Sequence, residues 1–150
     1  MNPINSAIVN FTTAQSGTKV KRGECWDLAE EALKYVGAKT SNDIMGAKNV
    51  TAKADYKWGT PIKKADLIPG DIIQFRNYKY TLDDGSYQTR PHHTAIVSAV
   101  WYFGTVDVLE QNVPEGGPVT TNTLYLTSGS FDGITITVTG SFWCYRPIKK

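Results

Sequence analysis

Cysteine and histidine are the side chains best suited to nucleophilic hydrolysis near neutral pH, and this chain of 150 residues is sparing with both. Cys25 and Cys144 are its cysteines, and His92 and His93 its histidines. Around Cys25 the stretch Gly23–Gly37 places apolar residues at Cys25, Leu28, Ala29, Ala32, Leu33 and Val36, the spacing of one buried helix face, with Gly37 as a stop signal. A thiol in the first turn of such a helix faces unpaired backbone N–H groups and the positive end of the helix dipole. Both favour the thiolate. A cysteine nucleophile would be built there. The plainer reading of Cys25, a small buried hydrophobe that opens a core helix, stands beside it.

The histidines open a strand. His93-Thr94-Ala95-Ile96-Val97-Ser98-Ala99-Val100-Trp101 alternates, Phe103-Gly104 breaks it, and Thr105–Asn112 is its return. Period-two alternation groups His93 with Ala95, Val97, Ala99 and Trp101, and groups Glu110 and Asn112 with Val106 and Val108. A tight turn at Phe103 brings the His93 end of one strand beside the Glu110 to Asn112 end of the other. Buried His, Glu and Asn need polar partners, and these three can serve one another. His92 has the opposite parity and is the competing base, expected to face solvent or the sheet's other side. A thiol at a helix start, a histidine on a strand and a carboxylate or amide on the next strand are the parts of a cysteine hydrolase.

The elements that must position these groups follow from the rest of the chain. Residues 1–22 are polar and weakly patterned and read as an arm or loop, leaving 23–150 as the domain proper. Ala38–Asp66 mixes small and polar residues with Tyr56 and Trp58, and Trp58-Gly59-Thr60-Pro61 reads as a turn. Asp71–Phe75 is a strand after the Pro69-Gly70 turn. Arg76–Pro91 is a polar hairpin turning at Asp84-Gly85. Tyr78, Tyr80 and Tyr87 on that hairpin form either a binding rim or edge-strand packing, and Trp58 either lines a cleft or caps the core. Val119–Leu126, Ile134–Thr139 and Ser141–Arg146 supply further strands, parted by Gly129, Gly133 and Gly140. Helix first and sheet after is the order of an α+β fold, a mainly antiparallel sheet covered on one face by the Cys25 helix.

Composition narrows the function classes. A 41% hydrophobic content with scattered prolines suits one globular, monomeric unit, and a net charge of +2 demands no nucleic-acid partner. No apolar run reaches the length of a membrane span, and Ala7-Ile8-Val9 has no basic segment before it, so no secretory signal is expected. Two cysteines make no disulfide framework. Zinc would need Cys25, Cys144, His92 and His93 together, yet no CxxC or HxxxH spacing is present and adjacent strand histidines diverge.

Five segments resemble, in order, the landmarks of the CHAP amidase family and its NlpC-type relatives, which are papain-like cysteine hydrolases. They are Gly23-Glu24-Cys25-Trp26, Ile68–Phe75, His93-Thr94-Ala95-Ile96-Val97, Val108–Asn112 and Tyr145-Arg146-Pro147. The resemblance runs from about Gly23 to Pro147. It implies a papain-like fold and hydrolysis of amide bonds in bacterial cell-wall (peptidoglycan) peptides through an acyl-thioester, without metal or cofactor. It makes Cys25 the nucleophile, His93 the base, Glu110 the ring-orienting group and Asn112 a supporting polar residue. Glu24 stands where many members carry Gln, and its carboxylate opposes the thiolate. Trp26, Trp58, Tyr78, Tyr80 and Tyr87 are the substrate-binding candidates, and the site of action would be the cell wall or periplasm. The alternative is a non-catalytic module on the same fold that grips a wall peptide or a protein partner through those aromatics.

Overall fold

Residues 2–150 are described by a computed structural model. The segment expected to be an arm is instead a helix, α1 (Pro3–Ala14). Its start is locally encoded: the Asn2 side chain accepts from the Asn5 N–H, and Pro3 occupies a first-turn position where a missing N–H costs nothing. Ile8 is buried, with Ile4 and Phe11 packed partly against the same core. Asn5 binds the Pro69 carbonyl and the Asp71 carboxylate through Nδ2, and the backbone at Gly70 lies so close that a Cβ there would fall 2.5 Å from the Asn5 carbonyl. Gly70, at φ +92°, is thus required twice over.

Next come α2 (Cys25–Val36), closed by Gly37 in the left-handed conformation, and the short α3 (Ser41–Met45). The strands are β1 (Thr60–Ile62), β2 (Ile72–Leu82), β3 (Tyr87–Val100), β4 (Thr105–Glu110), β5 (Thr120–Tyr125), β6 (Gly129–Phe131) and β7 (Ile134–Arg146). They form one sheet in the order β1-β7-β2-β3-β4-β5, with β6 added on β7, and every pairing is antiparallel. This is the α+β arrangement expected of a helix-then-sheet sequence, and it takes the papain-like form that the CHAP resemblance implies.

Both faces of the sheet are covered. The helices pack Leu28, Leu33 and Ile8 against Ile72, Ile96, Leu109 and Trp58 on one face. On the other, Ile73, Phe75, Tyr78, Ala95, Val97, Val108 and Leu124 form a second core between curled strands. Each fully buried Leu or Ile contributes about 1.5–3 kcal/mol of transfer free energy. Among the described residues no helix is long and apolar enough to cross a membrane.

The segment Arg76–Pro91 is not a polar excursion from the sheet. β2 runs through it to Leu82 and β3 starts at Tyr87, so only the turn around Asp84-Gly85 leaves the ladder. A bulge explains why the pattern misleads. Asn77 adopts φ 52° and the register with β7 slips between Arg76 and Lys79, so Phe75 and Tyr78, three apart, enter the same core. Opposite the bulge, a Cβ on Gly140 would sit 1.9 Å from the Asn77 carbonyl. Gly140 is therefore a seat for the bulge inside a continuous β7, where the sequence suggested a break between strands.

Candidate active site

Cys25 is the first residue of α2, half-buried, and follows Glu24, whose extended backbone (φ −75°, ψ 153°) turns the chain into the helix. The Asp27 carboxylate accepts from the Glu24 N–H and is held by Arg22. Gln111, fully buried at the end of β4, accepts from the Val20 N–H and donates to the carbonyls of Val20 and Glu24. One side-chain amide thereby ties the approach to α2 onto the sheet.

His93 stands on the sheet face turned away from the helices, beside Phe75, with its Nε2 2.7 Å from Glu110 Oε1. That bond leaves Nδ1 for the thiol. The nucleophile candidate and the base candidate meet at β3, where Cys25 lies against the His93 ring and the Thr94 N–H. Burial alone would push the thiol up; the His93 hydrogen bond, the imidazolium charge and the Thr94 N–H outweigh it, and Cys25 lies below its ordinary value. Glu24 opposes this as the weakest of the contributions and does not reverse it. Burial would likewise lower His93, but its bonds to Cys25 and Glu110 raise it to about 9. Both shifts favour the thiolate–imidazolium pair over the neutral thiol and imidazole.

Glu110 is fully buried and has four donors around it. His93 Nε2 and Arg90 Nε share its Oε1, while Arg90 Nη2 and Asn122 Nδ2, each at 2.6 Å, share Oε2. Burial disfavours this carboxylate, yet the His93 and Arg90 bonds hold it at about 2. Its contribution to folding is therefore complete above its ordinary value of 4.5 and lost as pH falls through about 2. In urea titrations, the stability gap between the parent and Glu110→Gln should be widest above pH 4.5 and should close toward pH 2.

Asn112 departs from its expected place. β4 ends at Glu110, Asn112 has φ 68°, and its side chain accepts from the Gly116 N–H and donates weakly, at 3.4 Å, to Glu24. It walls the site without bonding His93. The His93 ring of a Glu110→Gln variant should accordingly titrate well below about 9 by NMR, whereas Asn112→Ala should leave it in place. A drop in Asn112→Ala alone would hand the orienting role to the asparagine.

Cys25 and His93 open onto a cavity of about 980 Å³ whose walls include Trp26, Tyr56, Val50, His92, Arg90 and Val113. Trp26 alone of the five aromatic candidates lines it, with its Nε1 donating to Ser41. Trp58 is 0% exposed and bonds Gln74 in the helix-side core; Tyr78 and Tyr80, 1% and 7% exposed, belong to the opposite core. Tyr87 is 62% exposed but sits at the hairpin end of β3, under Lys79 and off the cavity. These four are not wall residues of the site. Aromatic content marked them, but the bulge, which the alternation does not reveal, turns Tyr78 and Tyr80 inward.

His92 does face the other way, donating from Nε2 to the Ala54 carbonyl at 2.6 Å. Arg90, Gln111, Asn122 and Tyr56 were absent from the sequence-derived site. Pro91 within a strand was the available signal for Arg90, since it marks irregular pairing. Among the described residues no group of three or more His, Cys, Asp or Glu side chains is placed to hold a metal ion.

Two solved structures share this architecture. One, described as "The crystal structure of Ly7917", is 19% identical with a TM-score of 0.56 over 91% of this chain and 62% of that one. The other, "The crystal structure of Ly7917 with the hydrolyzing product of MDP", is 21% identical with a TM-score of 0.52 over 93% and 63%. The chain thus spans about three-fifths of the length of those proteins. No curated protein sequence matches it. A family profile described as "AIM3/BBC1 Cysteine proteinase-fold domain" matches residues 2–150. A match over nearly the whole chain, on a papain-like fold with a thiol, an imidazole and a carboxylate in line, places this chain in the AIM3/BBC1 cysteine proteinase-fold domain family.

Proposed function

We propose that the protein is a cysteine-dependent amidase or endopeptidase that hydrolyses amide bonds of peptidoglycan peptides, close in chemistry to the CHAP and NlpC-type enzymes its motifs resemble. One observation carries the reading: Cys25, His93 and Glu110 stand in line at an open cavity, with the His93 ring bonded to Glu110 and lying against the Cys25 thiol. A non-catalytic binder has no use for a thiol held as thiolate against a buried imidazolium. The cell-wall substrate is supported by the ordered motifs and by a fold shared with a protein solved with a hydrolysis product of MDP.

The steps follow from the groups present. The Cys25 thiolate adds to the amide carbon, and the oxyanion forms beside the free N–H groups at the start of α2. The His93 imidazolium passes its Nδ1 proton to the leaving nitrogen, the C–N bond breaks, and an acyl-thioester remains. Neutral His93 then takes a proton from water, whose oxygen displaces Cys25. Glu110 holds the ring through Nε2–H and stabilises its charge throughout.

Digesting purified peptidoglycan with the protein and assigning new amine and carboxyl ends by mass spectrometry tests this. New ends that require Cys25 are expected. Folded protein with a reactive Cys25 that binds the wall and generates no ends would establish the binding-module alternative.

A further inference from the structure

We infer that Arg90 is a positioning residue that makes the buried Cys25–His93–Glu110 line a charge-balanced quartet, fixing Glu110 and setting the pH range over which the thiolate–imidazolium pair exists. The inference rests on the reading of Cys25 and His93 as reacting groups. Its basis is geometric. Arg90 is 3% exposed, and its Nε and Nη2 grip the two oxygens of Glu110 in a fork at 3.0 and 2.6 Å. The remaining donors are also engaged: Nη1 binds the Thr89 carbonyl and Nη2 the Gln88 amide oxygen, while Gln88 in turn donates to Tyr80. Arg90 Nε and His93 Nε2 bond the same oxygen, so the two cations lie against one carboxylate from adjacent directions.

Charge counting gives the consequence. With Arg90 present, the site is neutral whether the proton sits on Cys25 or on His93, so in neither state is the buried Glu110 carboxylate left as an uncompensated charge. Without it, Glu110 faces His93 with one cation fewer. Its excess negative charge disfavours the thiolate and favours the imidazolium, so both groups titrate higher. Other charges facing the pair are few. Glu24, just ahead of α2, lies beside Cys25, the Tyr56 phenol faces Cys25 across the cavity, β2 contributes the neutral phenol of Tyr78 on the Glu110 side, and β3 contributes His92, which is tied to the Ala54 carbonyl. Arg22 near the cavity mouth is already paired with Asp27. None of these replaces Arg90 at Glu110.

The readout is the pH dependence of Cys25 alkylation by iodoacetamide, located by peptide mass spectrometry, in the parent, Arg90→Gln and Arg90→Lys. Arg90→Gln keeps donors for Glu110 and removes the charge; its alkylation midpoint should move up by about one pH unit. Arg90→Lys restores the charge and should return the midpoint to the parent's while losing the fork, which the His93 NMR signals report as a broadened or displaced ring resonance. An unshifted midpoint in folded Arg90→Gln, or a Lys variant shifted as far as the Gln variant, overturns the inference. Should Arg90→Gln not fold, the Lys variant decides alone: parent-like midpoint with a disturbed ring supports it, and an undisturbed ring overturns it. Because alkylation needs no substrate, an inactive parent with a low Cys25 midpoint would refute the proposed hydrolysis and leave this inference standing.

Discussion

A Cys25→Ala protein should lose peptidoglycan hydrolysis by a factor on the order of 10⁶, the scale on which a covalent nucleophile contributes, while its melting curve stays close to the parent's. Cys25 is half-buried at a helix start and alanine is at home there, so the loss would be chemical rather than structural. Serine at the same place should be equally inert, since His93 and Glu110 are arranged to hold an existing thiolate. Cys144 is the internal control. Burial pushes its thiol to about 12, it touches none of the site, and Cys144→Ser should retain most activity. Rates and circular-dichroism melts on the same preparations check both. Undiminished turnover by Cys25→Ala, free of parent contamination, would sink the mechanism.

The second large effect is the contrast between neighbours. His93→Ala removes the group that, in the proposed mechanism, holds the thiolate and delivers the proton, and should cost roughly 10²–10⁴ in rate. His92→Ala removes a hydrogen bond to the Ala54 carbonyl and an edge-on contact with Tyr56, both in the cavity wall. Its cost should fall mainly on KM. Equal losses in kcat would mean that the ring reaching Cys25 is not the one identified.

How far the sequence revealed this site depended on how regular the backbone is at each residue. α2 was legible because six apolar positions keep a 3.6-residue period and Gly37 ends it. His93 was legible because β3 alternates cleanly from His93 to Val97, and so was Glu110 relative to Val106 and Val108. The same rule failed one step later. Asn112 keeps the parity of Glu110 on paper, but the strand has ended and the left-handed backbone at Asn112 redirects its side chain toward Glu24. Arg90 lies three residues from His93 and by parity belongs on the opposite face. The bulge at Asn77 breaks the alternation of β2 while β3 stays in register with it, Phe75 opposite His93 and Tyr78 opposite Arg90, and His93 and Arg90 both reach one carboxylate. α1 escaped for another reason: its Ile4, Ala7, Ile8 and Phe11 spacing is interleaved with Asn5, Ser6, Asn10, Thr12 and Thr13, residues that favour caps and turns, and two of them, Asn5 and Thr12, are buried on hydrogen bonds of their own.

Residues 110, 111 and 112 send three consecutive side chains to three destinations: Glu110 to His93, Gln111 to the loop ahead of Cys25, Asn112 to the turn beyond. Length changes are therefore tolerated very unequally around this site. One residue lost from the 101–104 turn, with β5 still paired to β4, would put the Gln111 amide where Glu110 meets the imidazole, and one residue added would put the Glu110 carboxylate where Gln111 meets backbone carbonyls. The stretches 46–56 and 113–117 carry none of the reacting groups and only frame the opening. Insertions there would reshape what enters and leave the reaction centre in register, so divergence in substrate among chains of this design should be written in the lengths of those two loops and hardly at all in the turn that sets β4.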